Sequence, residues 1–196
     1  MNSIGIIAGG GKLPIAIGKN LIKKNFNICF FVIEEFFNTK NYKDFVVEII
    51  NLNSAKNIIN LLKSKNIHSI IMAGKINRPS LTDLSFDFET FKLAKNLLLN
   101  KTGDDGLLIS IKKYFNDNGF DYFDWKKHCP ELFANKDILT KIKPSTRAQE
   151  NLQKAISIFK SFGEIDVGQS MIVQNKIVLG LEAIEGTDKL ITRCKD

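Results

Sequence analysis

The sequence predicts an α/β protein: an open parallel sheet with helices on both faces, followed by a smaller, incomplete α+β domain. Three observations carry this. Short apolar runs recur through the first part of the chain, the form taken by strands that are covered on both sides. Helix-patterned segments separate the first run from the second and the third from the fourth, giving the β-α-β…α-β order of a parallel sheet. Beyond Gly74 the pattern changes to helices, an irregular stretch and a hairpin.

Residues 3–8 (SIGIIA) read as a buried strand, broken by Gly9, Gly10 and Gly11. Leu13–Asn25 has apolar residues at 13, 15, 17, 21 and 22, and Pro14 falls in the first turn, where the missing N–H costs nothing. Ile28–Ile33 and Asp44–Ile50 are the second and third strands. Ser54 is placed to cap a helix over 55–65, with apolar positions 58, 59, 61 and 62. His68–Ala73 is the fourth strand, ended by Gly74. Helices are expected at Ser85–Leu99 and Asp105–Asn118. Residues 120–144 read as irregular. Thr146–Phe162 is a helix, and Ser170–Gln174 and Ile177–Glu182 form a hairpin around Asn175-Lys176. The expected domains are 1–125 and 145–196, joined by 126–144. The final residues, to Asp196, read as the first turns of a helix, so the second domain is expected to be incomplete.

Composition narrows the function. The 196 residues are 44% hydrophobic and 25% charged, which excludes a wholly disordered chain. The longest apolar runs, such as Ile28–Ile33, fall far short of the ~18 residues that span a bilayer. The start, MNSIGIIAGGGKLP, has no basic leader segment. A cytoplasmic protein is expected. Net charge is +7, from 28 basic and 21 acidic residues. The lysines are scattered and not interleaved with aromatics, so a nucleic-acid partner is not expected. Cys29, Cys129 and Cys194 lie far apart, with no metal-binding spacing. His68 and His128 carry no partner pattern.

Four motifs can carry chemistry. A glycine turn between strand and helix, Gly9-Gly10-Gly11-Lys12, lets backbone N–H groups approach a phosphate, with a helix N-terminus behind them. As GxGxxG, Gly9 and Gly11 match, but Pro14 takes the third glycine's place. Glu34 and Glu35 stand where a dinucleotide fold holds its ribose, which keeps a nicotinamide-dependent oxidoreductase open. Ala73-Gly74-Lys75-Ile76-Asn77-Arg78-Pro79 follows the fourth strand, and Asn77 and Arg78 suit a polar or phosphate ligand. Asp104 and Asp105 in Lys101–Gly106 suit a divalent ion, while Asp104 suits a helix N-cap equally well. Finally, Asp166-Val167-Gly168-Gln169 and Glu182–Asp188 bracket the hairpin. Glu185 and Asp188 are oxygen ligands of the kind Mg²⁺ takes, and Thr187 or Asp188 equally suits a cap of the last helix.

In this order, IIAGGGKLP (6–14), AGKINRP (73–79), KTGDDGLL (101–108), KIKPS (141–145), DVGQSMIV (166–173) and LEAIEGTD (181–188) resemble the LpxI-type UDP-2,3-diacylglucosamine pyrophosphatases of lipid A biosynthesis. The resemblance implies a Rossmann-like N-terminal domain, a C-terminal domain particular to the family and substrate between them. It implies hydrolysis of UDP-2,3-diacylglucosamine to UMP and 2,3-diacylglucosamine 1-phosphate, with Mg²⁺ or a similar divalent ion. Under it, Asp104, Asp105 and Asp188 are expected to be catalytic. Gly10, Gly11, Asn77, Arg78, Gln169 and Thr187 are expected to bind substrate, and Asp105, Glu185 and Asp188 to hold the metal. Family members continue past the EGTD segment with a section that supplies a catalytic aspartate. A chain ending at Asp196 is therefore expected to turn substrate over poorly, and a non-catalytic nucleotide-sugar binding fragment is the alternative. Phe86, Phe88, Phe91, Phe115, Phe120 and Phe123 are either an acyl-chain groove or plain core. Peripheral contact with the inner membrane and a homodimer are further expectations.

Overall fold

The computed structural model describes residues 3–76, 104–136, 138–163, 168–183 and 185–195, without side chains at 104–107 and 162–163. The expected helix Ser85–Leu99, together with Asn77, Arg78, Phe86, Phe88, Phe91, Asp166 and Val167, lies outside the described residues. The chain divides into two compact units, Met1–Ala134 and Asn135–Asp196.

The first unit is built on five parallel strands: β1 (Ser3–Ala8), β2 (Ile28–Ile33), β3 (Val46–Ile50), β4 (Ile67–Ala73) and β5 (Asp121–Tyr122). Their order across the sheet is β3-β2-β1-β4-β5. Around it run α1 (Leu13–Lys23), α2 (Thr39–Tyr42), α3 (Ala55–Ser64), α4 (Asp104–Asp117) and α5 (Trp125–His128). Side chains of a strand point alternately to the two faces, and β1 and β2 use both. Ile4, Ile6, Ala8, Phe30 and Val32 pack with Ile17 and Leu21 of α1. Ile7, Phe31 and Ile33 pack with Ile58, Ile59 and Leu62 of α3 and with Phe115 and Phe120. This double burial is why the strands read as unbroken apolar runs.

Local chemistry sets the helix ends. Ser54 Oγ accepts a hydrogen bond from the Asn57 N–H at 3.3 Å, the expected cap of α3. Gly18 lets α1 settle close on the sheet, since a Cβ there would stand 2.2 Å from Phe30 Cζ. The third strand starts at Val46 rather than Asp44. The stretch expected to be irregular holds β5, α5 and a 3-10 turn over Pro130–Leu132. Cys129, between them, is fully buried against α1 and β2. These elements are two to four residues long, too short for a periodicity to show. Phe115 and Phe120 are core, not a groove. Phe123 stacks on His128 with ring centroids 4.9 Å apart.

The second unit contains α6 (Thr146–Gly163), a β6 (Met171–Gln174)–β7 (Ile177–Leu181) antiparallel hairpin and α7 (Thr187–Arg193). Asn175 and Lys176 both take positive φ, 54° and 64°, as a two-residue hairpin turn of the primed type requires. Lysine is a poor residue for that conformation, and α6 holds it there. Asn151 Oδ1 accepts the Lys176 N–H at 2.8 Å, Glu150 pairs with the Lys176 ammonium at 3.0 Å, and Arg147 donates to Asn175 Oδ1.

Candidate functional site

In the first unit, chemistry is positioned by the strand order. From β1 the chain winds outward to β2 and β3 on one side, then returns to place β4 on the other. A parallel sheet opens a crevice at the carboxyl ends of the two strands where the winding reverses, here β1 and β4. The Gly9–Gly11 turn and the Gly74-Lys75 turn both lie there.

The two turns are tied together through their backbones. The Gly9 N–H donates to Ala73 O at 2.9 Å, the Gly10 N–H to Lys75 O at 2.7 Å, and the Lys75 N–H to Gly10 O at 2.8 Å. The glycines are required by this closeness. A Cβ on Gly9 would stand 2.3 Å from Lys75 O, and one on Gly74, whose φ is +98°, would stand 2.8 Å from Gly10 O. A Cβ on Gly10 would press on the Phe36 ring at 2.9 Å. Gly11 differs: its φ is +95° and nothing lies within 4 Å of where a Cβ would be. So the N–H groups of Gly9 and Gly10 are engaged by protein, while Gly11 faces open space ahead of α1. Lys12 and Lys75, both exposed, add positive charge at this edge. Glu34 accepts a hydrogen bond from Asn51 at 3.2 Å.

The described part of α4 opens at Asp104. Asp105 follows in the same first turn. Their backbone N–H groups stand at the positive end of a helix of 14 residues.

In the second unit, the loop from β7 into α7 gathers the polar residues. Gly168 admits the crossing of two backbones, since a Cβ there would stand 1.9 Å from Glu182 O. Next to it the Glu182 N–H donates to Ser170 O at 2.9 Å. The Thr187 hydroxyl donates to Glu182 Oε2 at 2.9 Å and lies 3.2 Å from Ser170 Oγ. Glu185 Oε1 takes two hydrogen bonds from Arg193, at 3.1 Å from Nε and 3.0 Å from a terminal guanidinium nitrogen, and Oε2 accepts the Ala183 N–H at 3.1 Å. The same guanidinium reaches Leu181 O at 2.8 Å. Its own backbone N–H and the Arg193 guanidinium hold the Glu185 carboxyl below the usual glutamate range. The cap of α7 is Gly186 with φ +83° and no side-chain cap bond. Neither Thr187 nor Asp188 caps the helix, as the sequence had suggested. Asp188 instead lies in its first turn, with no hydrogen bond to its carboxylate among the described residues.

Of the expected metal ligands, Glu185 is committed to Arg193 and Ala183, and the side chain of Asp105 is not described. Among the described residues no three His, Cys, Asp or Glu side chains stand together as a metal cluster. Gln169 is exposed and borders a cavity of about 420 Å³, which Leu152, Ile156, Phe159 and Met171 also line. Sequence reasoning held Gly74, Lys75 and Glu182 within its motifs without giving them a role of their own, and missed Arg193. The positive φ of Gly74 and the pairing of Arg193 to a glutamate eight residues earlier leave no pattern that a linear reading detects.

The comparisons with known proteins agree on both units. The LpxI N-terminal domain model matches residues 3–132 and the LpxI C-terminal domain model matches residues 135–196. A UDP-2,3-diacylglucosamine pyrophosphatase LpxI of Caulobacter vibrioides is 25% identical over 197 residues, covering 100% of this chain and 70% of that protein.

Proposed function

We infer the reaction from one premise: the chain belongs to the LpxI family. It is a UDP-2,3-diacylglucosamine pyrophosphatase, a hydrolase of lipid A biosynthesis. Water adds to one phosphorus of the diphosphate and the bridging P–O bond breaks. The products are UMP and 2,3-diacylglucosamine 1-phosphate, with the proton of the attacking water passing to solvent or to a basic oxygen.

The observation that carries the first unit's role is the pair of glycine turns at the ends of β1 and β4. Nucleophilic attack on a diphosphate must offset charge already present and charge that develops. The Gly11 backbone and the N-terminus of α1 do this from a backbone anchored by the bridge between the turns, and the exposed Lys12 and Lys75 ammonium groups add charge. Gly10 provides the close approach. Asn77 and Arg78, the second and third residues after Lys75, are the residues offered for the phosphates.

In the second unit, the Arg193–Glu185 pair holds the loop that presents Thr187 and Asp188. Among the described residues, the Asp188 carboxylate there accepts no hydrogen bond. It serves as the base or the electrostatic partner of the attacking water, and Thr187 and Gln169 bind substrate. A divalent ion, Mg²⁺ by its taste for carboxylate and phosphate oxygens, supplies further charge neutralisation. Asp104 and Asp105 in the first unit, or Asp188 in the second, are carboxylates that suit it, while Glu185 is already paired with Arg193.

Incubation with UDP-2,3-diacylglucosamine in detergent, read by mass spectrometry, tests the reading. UMP and the sugar 1-phosphate are expected, with loss of turnover in EDTA and recovery on adding Mg²⁺. Intact substrate overturns the reaction, and turnover indifferent to EDTA overturns the metal.

A further inference from the structure

We propose that Glu34, at the carboxyl end of β2, receives the ribose 2′-hydroxyl of the substrate's nucleotide half and so selects a ribonucleotide. This deepens the proposed function and rests on it for the identity of the nucleotide. The residue lies one strand away from the glycine turn and level with it. Ala8 of β1 pairs with Val32 of β2, and Ile33 of β2 pairs with Ile50 of β3. Two residues beyond the first pair stand Gly10 and Glu34, and one beyond the second stand Glu34 and Asn51. Neighbouring strands lie ~4.8 Å apart, so the glycine turn and the carboxylate are about a sugar ring apart on the edge of the crevice.

Contacts on both sides hold Glu34 there. A 3-10 turn over Glu34–Phe36 follows β2, closed by the Phe37 N–H donating to Glu34 O at 3.1 Å. It sets the Phe36 ring against Gly10, where a Cβ would stand 2.9 Å from the ring. On the other side, Asn51 Oδ1 accepts the Asn53 N–H at 2.9 Å. That leaves the amide nitrogen of Asn51 to donate to Glu34 Oε2 at 3.2 Å. Glu34 is exposed, and among the described residues no donor reaches its Oε1. One carboxylate oxygen is thus fixed by protein and the other is open.

The donors and acceptors along this edge follow the order of a nucleotide. The Gly11 backbone and the Lys12 and Lys75 ammonium groups are donors and suit phosphate oxygens. A carboxylate is an acceptor only, so it repels phosphate and takes hydroxyl protons. Phosphate followed one sugar along by hydroxyl donors describes a ribose 5′-phosphate, and deoxyribose lacks the 2′ donor. The strand order β3-β2-β1-β4-β5 also puts Glu34 where open sheets of this order hold an acid on the ribose 2′-hydroxyl. Glu34 is the binding group and Asn51 the positioning residue behind it.

Calorimetric titration of the full chain with UMP, with 2′-deoxyuridine 5′-monophosphate and with NADH tests this. The wild type should bind UMP about tenfold tighter than the deoxy compound, the effect of one hydrogen bond to a charged group. Glu34→Ala should bring the two affinities together. Glu34→Gln keeps an uncharged acceptor and should fall between, and Asn51→Ala should lower the ratio in part. The ratio is the readout, because removing a carboxylate near a phosphate strengthens both ligands alike. Both positions are exposed, and circular dichroism checks that the fold persists. The proposal is overturned if UMP fails to bind, if the wild type binds both uridine compounds equally, or if Glu34→Ala keeps the wild-type ratio. Binding of NADH in place of UMP overturns it too. Binding is read without turnover. A chain that discriminates but releases no UMP from UDP-2,3-diacylglucosamine loses the proposed reaction and keeps the ribose contact. One that hydrolyses this substrate yet binds both uridine compounds equally does the reverse.

Discussion

Replacing Gly9 by alanine tests whether the bridge between the two glycine turns is what organises the crevice. The new Cβ would lie 2.3 Å from Lys75 O, a backbone atom that no side-chain rotation can move aside. The turns must separate by about 1 Å to reach ordinary contact. The two hydrogen bonds joining Gly10 and Lys75, at 2.7 and 2.8 Å, then stretch or break, at about 0.5–1.5 kcal/mol each. Steric strain adds about 1–3 kcal/mol. Reduced freedom of the unfolded chain returns about 0.4–1 kcal/mol. The net loss is about 3 kcal/mol, or roughly 6–12 °C in the melting temperature of a chain this size. Gly11→Ala is the internal control, since it meets no atom within 4 Å and bears only the strain of a positive φ, about 1 kcal/mol. Turnover of Gly9→Ala should fall about 100-fold, the usual result of displacing a binding group by this distance. Thermal unfolding followed by circular dichroism, together with UMP release, reads both. If Gly9→Ala melts no lower than Gly11→Ala, or keeps wild-type turnover, the bridge is not what positions the site.

Other outcomes follow from the same geometry. Arg193→Ala removes the guanidinium from Glu185 and Leu181 O, so kcat should fall about tenfold with partial recovery in Arg193→Lys, which keeps charge but not the fork; unchanged kcat would show that the loop needs no such brace. Because Glu185 titrates below its ordinary value of 4.5, its ion pair stabilises the protein fully above that value and loses this contribution as the pH falls through the lowered one. Melting of the wild type and of Glu185→Gln should therefore converge in acid and differ at neutral pH; parallel curves would disprove the linkage. Gly18→Ala gains about 1 kcal/mol of helix propensity but drives a Cβ to 2.2 Å from Phe30 Cζ. Phe30 is fully buried against Tyr42 and Phe45, so the denaturation midpoint should fall, and a rise would mean the helix can shift. Burial raises the Cys29 and Cys129 thiols, and Cys194 is only partly buried. Iodoacetamide at neutral pH should modify Cys194 first, with the other two reacting only on unfolding, as read by peptide mass spectrometry.

Sequence alone determined the parts of this protein whose physics is local or repetitive. β1, β2 and β4 were legible because burial on both faces demands unbroken apolar runs. α3 was legible from Ser54 and its apolar spacing, and the β6–β7 hairpin from Asn175-Lys176. The glycine turn after β1 stood out because only glycine tolerates such close backbone approach. The order of the six motifs pointed to the family, whose N-terminal and C-terminal domain models match residues 3–132 and 135–196.

Tertiary structure decided what depends on partners distant in the chain. That Gly10 and Lys75 bridge, 65 positions apart, follows from β4 lying beside β1, and nothing near either residue encodes it. Whether Glu185 is a free carboxylate or one side of an ion pair depends on the turn of α7 that brings Arg193 back to it. Whether Phe115 and Phe120 line a groove or fill a core depends on the sheet face they meet. A residue type sets which interactions a side chain is able to make. The folded backbone sets which of them are within reach, because hydrogen bonds and steric contact act only over a few ångströms.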